Sequence, residues 1–108
     1  MEVDIADIKD ISPMKIAAIS DRESKRDFID LYFIVKVKRL LSLLEILHLY
    51  DQKFKILKQN KIHIFKSLCY FEDAEKEPMP QMIEEVEWQE VKRFFEKETK
   101  EITNQLLK

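Results

Sequence analysis

Glycine is absent from this chain of 108 residues. A phosphate-cradling P-loop, a G-x-G-x-x-G dinucleotide turn and a G-x-S-x-G nucleophile elbow are therefore excluded, because each needs a backbone position that only glycine tolerates. Cysteine occurs once, at Cys69, which rules out an internal disulfide and a cysteine-rich zinc site and fits a reducing, cytoplasmic setting. Long apolar runs are missing too. The most apolar stretch, residues 28–37, is interrupted by Asp30 and Lys36 and falls short of the roughly 18 apolar residues a membrane span requires. The first ten residues, MEVDIADIKD, are acidic and lack the apolar segment of a signal peptide. Nor is there a charge excess: 19 Lys+Arg against 21 Asp+Glu give −2, so no bulk pull toward nucleic acid or a membrane surface is expected.

What is present reads as helix. Charged residues make up 37% and hydrophobic ones 45%, a balance that suits a small domain with amphipathic helices. Ser12-Pro13 places a capping hydroxyl before a proline and predicts a helix start there. Ser24-Lys25-Arg26-Asp27 has capping-box spacing and opens a second helix through about Lys38. Ser42-Leu43-Leu44-Glu45 repeats the device before a third, in which Leu43, Leu44, Leu47 and Tyr50 recur at helical period. Asn60 is expected to cap a fourth, with Ile62, Phe65, Leu68 and Cys69 on one face and Cys69 as a small core residue. Pro78-Met79-Pro80 ends regular structure. A last helix follows from about Trp88 to Leu107, with Trp88, Val91, Phe95, Ile102 and Leu106 inward. A short strand near residues 2–5 is the one β element to be expected. The chain thus reads as a single all-α domain over residues 1–108, a bundle of about five helices.

Charge is unevenly distributed. Residues 36–66 hold eight basic and two acidic side chains, whereas residues 72–90 hold eight acidic and one basic. Two solvated faces that attract each other are one reading; a basic face for phosphate or RNA is the other.

The second helix carries the candidate chemistry. It is apolar around nearly its whole circumference, as a central buried helix is. Asp30 nevertheless shares a stripe with Phe33, Ile34 and Val37, and a carboxylate there is costly unless it is paired or bound. Arg26, one turn earlier, and Lys15 are the candidate partners. Lys15 is itself the only charge between Ile11 and Ser20, on a face shared with Ala18, Ile19 and Arg22. It either snorkels to water or joins Arg22, Arg26, Asp27 and Asp30 in one cleft of a helix-turn-helix. Such a cluster could hold phosphate oxygens through its cations and a hydroxyl or metal through its carboxylates. His48 and His63 read as structural or surface histidines, and Trp88, Phe94 and Phe95 as core aromatics.

These residues carry a resemblance. Lys15, Ala18, Arg22, Arg26-Asp27 and Asp30-Leu31-Tyr32 fit the K-x-x-A-x-x-x-R-x-x-x-R-D-x-x-D-L-Y signature of the AbiEii/AbiGii-type nucleotidyltransferase toxin family. Lys66-Ser67-Leu68, Tyr70-Phe71, Asp73-Ala74-Glu75 and Trp88-Gln89-Glu90-Val91-Lys92 also look like members of it. The resemblance covers nearly the whole chain but only the helical C-terminal part of the family. Full-length members add an N-terminal nucleotidyltransferase domain with a Gly-Ser motif and a Mg²⁺-binding D-x-D pair, neither of which occurs here. What the resemblance implies is that Lys15 and Asp30 are the active-site residues, with Arg22, Arg26 and Asp27 as nucleotide-binding support. It implies no metal site and no cofactor for this chain alone, and NTP with Mg²⁺ for a complete member. A separately encoded N-terminal half or an antitoxin would be the partner. Transfer of a nucleotidyl group is the implied reaction, and this chain by itself is expected to be inactive. The alternative from another class is a non-catalytic helical protein that binds a partner or forms a homo-oligomer.

Overall fold

The computed structural model describes residues 5–22, 24–54, 57–80 and 86–106. Among the described residues six helical segments follow one another: α1 (Ile5–Arg22), α2 (Lys25–Tyr32), α3 (Leu43–Phe54), α4 (Leu57–Cys69), α5 (Glu72–Lys76) and α6 (Trp88–Leu106). A π-helical turn over Phe33–Val37 continues α2. Among the described residues there is no strand, and the architecture is an all-α bundle, as the periodicity predicts. Residues 2–4 of the expected strand lie outside the described set, and Ile5 is helical.

The core forms because each long helix buries one stripe. On α1 it is Ile8, Ser12, Ile16 and Ile19; on α6 it is Val91, Phe95, Thr99 and Ile102, all buried at the three- and four-residue spacing of one helical face. Leu43, Ile46, Leu47 and Tyr50 of α3 and Ile64, Phe65 and Leu68 of α4 complete the interior. α2 sits at the centre, with Lys25, Phe28, Ile29, Leu31 and Tyr32 buried within eight residues. α1 packs against α2, α3 and α4, and α6 closes over α2 and α4. Phe28 is the hub: its ring centroid lies 5.1 Å from Phe71, 5.3 Å from Phe95 and 6.0 Å from Trp88, in the tilted and edge-on arrangements aromatic quadrupoles favour.

Several local signals are overruled. α1 starts at Ile5 and runs through Pro13, so Ser12-Pro13 is not its beginning. The proline removes one intrahelical bond, yet burial of Ile8 on the same stripe as Ile16 and Ile19 holds the turns on either side. α4 starts at Leu57, not after Asn60; the side chains of Asn60 and Ile62, like that of Leu106, lie outside the described residues. Cys69, at the end of α4, is exposed and does not enter the core. The five-residue α5, which the sequence does not announce, turns Phe71 and Ala74 inward.

The end of α2 reflects the absence of glycine. The regular α-helix stops at Tyr32, and the π turn buries Ile34 while exposing Lys36 and Val37. The N–H of Lys38 donates to the Phe33 carbonyl at 2.8 Å and that of Leu40 to the Ile34 carbonyl at 3.0 Å. Between them Arg39 has φ 52°, the left-handed position that usually closes a helix with glycine.

Candidate functional site

The α1/α2 hairpin folds Lys15 back onto the second helix. Its Nζ donates to Asp27 Oδ1 at 3.1 Å and to Asp30 Oδ2 at 2.9 Å. Asp27 and Asp30 stand three residues apart on α2, so both carboxylates lie on one helical face. The cluster sits at the edge of the core: the side chains of Lys15, Asp27 and Asp30 are 25%, 14% and 29% exposed. Water thus reaches the cluster without flooding it. Burial alone would lower the Lys15 pKa, but the hydrogen bonds and negative charges of Asp30 and Asp27 outweigh it and hold the ammonium above the ordinary lysine value.

Of the other expected members, Arg26 is peripheral. Its Nε lies 4.0 Å from Asp30 Oδ2, and its side chain is 72% exposed, so it adds little to the fold. Arg22 is the last residue of α1, and its side chain lies outside the described residues. The pairing of Asp30 therefore goes chiefly to Lys15, with Arg26 left facing water beside it.

The expected capping box at Ser24 does not form, since the serine makes no side-chain cap. Its presumed partner Asp27 is engaged by Lys15. The orphan N–H of Lys25 is instead taken by the Glu77 carboxylate at 2.6 Å. Lys25 answers by donating its Nζ to the Glu77 carbonyl, also at 2.6 Å, and lies 5.1 Å from the Trp88 ring centroid, within cation–π range. This buried lysine, only 6% exposed, is missed by sequence reasoning; its one signal is that it precedes Phe28 by three residues and so shares its face. The clamp extends outward, where Trp88 Nε1 donates to Glu75 Oε1 at 3.1 Å and Lys92 Nζ binds the same oxygen. The hydrogen bond from Lys92 is the main reason the Glu75 carboxyl lies below its ordinary pKa.

Neither histidine joins this site. His48 is exposed, and His63 places Nε2 3.1 Å from the Ser20 carbonyl oxygen, tying α4 to α1. Among the described residues no group of three His, Cys, Asp or Glu could hold a metal ion. Asp27 and Asp30 do not fit a divalent cation either, because the Lys15 ammonium already fills the space between them.

No family model matches this chain, and no solved structure matches it. It is 41% identical over 99 residues to "Uncharacterized protein aq_aa25" of Aquifex aeolicus (strain VF5). The alignment takes in 90% of this chain but 45% of that protein. The chain thus spans less than half the length of this relative. Among the described residues, no helix is long and apolar enough to cross a membrane.

Proposed function

We propose that this chain is the helical portion of a nucleotidyltransferase-like protein of the AbiEii toxin type, supplying Lys15 and Asp30 to one side of an NTP pocket. The observation that carries the reading is the meeting of Lys15 with Asp27 and Asp30 within 3.1 Å at a water-accessible edge, on residues of the one motif that resembles that family. In this reading Lys15 and Arg26 face the triphosphate, and Asp27 and Asp30 hold the ammonium in place until phosphate oxygens compete for it; Arg22 is a further nucleotide-binding candidate on the resemblance alone. Metal-held chemistry belongs to a partner half bearing its own carboxylates, so the chain alone turns over nothing. A cytoplasmic location and a toxin–antitoxin setting belong to the same proposal. The greater length of the Aquifex relative is compatible with further domains in such proteins.

Isothermal titration of each NTP with Mg²⁺ tests the reading. Saturable binding that is lost in Lys15→Ala, with the fold retained by circular dichroism, supports it. No heat at millimolar nucleotide overturns it.

One observation favours a second reading. Lys15 is neutralised by two carboxylates of its own chain, which is what a structural ion pair in a non-catalytic interaction or oligomerisation protein would look like. Nucleotide titration separates the two, because only the first requires Lys15 to exchange partners.

A further inference from the structure

The first turn of α2 is gripped from two sides. Lys25 and Asp27 stand two residues apart, which puts their side chains roughly 200° apart around the helix. Lys25 meets α6 and the strap that follows α5. Its Nζ donates to the Glu77 carbonyl and its N–H to Glu77 Oε1, each at 2.6 Å, while the ammonium lies 5.1 Å from the Trp88 ring centroid. Asp27 meets α1, accepting from Lys15 Nζ at 3.1 Å. The two grips have no side chain in common; what they share is the backbone of α2.

That backbone is weakest where Asp27 stands. The leading N–H groups of a helix have no partner inside it, and the ladder bond that opens α2 runs from the Phe28 N–H to the Ser24 carbonyl at 3.2 Å. Ser24 supplies no side-chain cap, and α2 has only 8 residues, too few to hold its own end. The acceptor comes instead from Glu77, fifty-two residues away. Pro78 follows Glu77 and biases it toward extended backbone, which is what it has at φ −85° and ψ 144°. The Glu77 N–H donates to the Ala74 carbonyl at 3.1 Å, so its N–H, its carbonyl and its carboxylate are all engaged. Asp30 is differently placed. It lies beyond the first turn, and its carbonyl accepts from the Phe33 N–H.

We infer that Glu77 is a positioning residue for the Lys15 cluster: by capping α2 from the strap it holds Asp27 where Lys15 reaches it, whereas Asp30 keeps its place without that cap. The strap after α5 thereby sets whether one carboxylate or two hold the Lys15 ammonium. This arrangement is independent of whether nucleotide binds at the cluster.

The side-chain resonances of Lys15 in the labelled whole chain read the contact directly. With Glu77 in place, Asp27→Asn and Asp30→Asn should each move them. In Glu77→Ala, Asp27→Asn should move them less than half as far, and Asp30→Asn as far as before. Glu77→Gln keeps an oxygen acceptor for the Lys25 N–H and should restore the full response to Asp27→Asn. Ser42→Ala, which removes a cap from α3, should leave both responses intact and so separates positioning from general loss of stability. Circular dichroism checks that each variant stays helical; if Glu77→Ala does not, Glu77→Asp, one methylene shorter, makes the same test. Equal responses to Asp27→Asn with and without Glu77 would overturn the inference, as would no response in the wild-type background. So would loss of the Asp27 and Asp30 responses together, a Glu77→Gln chain that behaves like Glu77→Ala, or a Ser42→Ala chain that does.

Discussion

Replacing Lys15 by methionine keeps most of the aliphatic stem and removes the ammonium. The wild-type side chain makes two charge-assisted hydrogen bonds, 2.9 and 3.1 Å long. Each such bond is worth about 1.5–3 kcal/mol when well shielded and nearer 1 kcal/mol at a water-accessible edge. Lys15→Met should therefore destabilise the fold by about 2 kcal/mol, with some added repulsion between Asp27 and Asp30. For a domain of this size that is roughly a 10 °C fall in Tm. Urea denaturation at neutral pH measures it, and a double-mutant cycle with Asp30→Asn isolates the pair, for which a coupling of about 1 kcal/mol is expected. The pH dependence supplies an independent check. A lysine whose folded pKa lies above its ordinary value of 10.5 binds its proton more tightly folded than unfolded. Its contribution is complete below pH 10.5 and drains away as pH rises through the higher folded value. The gap between wild type and Lys15→Met should accordingly stay constant from pH 7 toward 10 and close only above that. A cost under about 0.5 kcal/mol with no coupling, or a gap that narrows below pH 9, would show that the Lys15 ammonium does not stabilise the fold through Asp27 and Asp30.

Arg39→Gly should stabilise the protein by about 0.5–1 kcal/mol, because a left-handed residue with a β-carbon is strained where glycine is not; an unchanged or lower Tm would contradict this. Glu77→Ala removes the acceptor of the first N–H of α2 and should cost about 1–2 kcal/mol, read as a lower urea midpoint with an unchanged slope. Ser42→Ala breaks the capping box in which the Glu45 N–H donates to Ser42 Oγ at 3.1 Å and the Ser42 N–H to Glu45 Oε1 at 3.2 Å. About 1 kcal/mol should be lost, whereas Ser24→Ala, whose hydroxyl caps nothing, should cost less than half of that.

The contrast between those two serines explains what the sequence discloses. At Ser42 both partners of the capping box are local, three residues apart, so the motif forms as written. At Ser24 the same spacing fails because Lys15, twelve residues upstream, claims Asp27, and Glu77, fifty-two residues downstream of Lys25, claims the helix end. Periodicity likewise places Val91, Phe95 and Ile102 in the core, but cannot say that burial of Ile8 carries α1 through Pro13. The pairing of Lys15 with Asp30 is one of the alternatives legible from two lone charges on apolar faces. Its sharing with Asp27, and the distance of Arg26, depend on how the hairpin closes. Lys25 was illegible for the same reason: both the carboxylate and the indole that bury it come from the far side of α5.

The measurement that bears most directly on the proposed role is mapping amide shifts while NTP and Mg²⁺ are titrated into the labelled chain. Saturable shifts confined to the α1/α2 hairpin around Lys15, Arg26 and Asp30, and absent in Lys15→Met, are expected. A spectrum unmoved at millimolar nucleotide, or shifts that persist unchanged in Lys15→Met, would contradict that role and leave Lys15, Asp27 and Asp30 as a structural ion cluster.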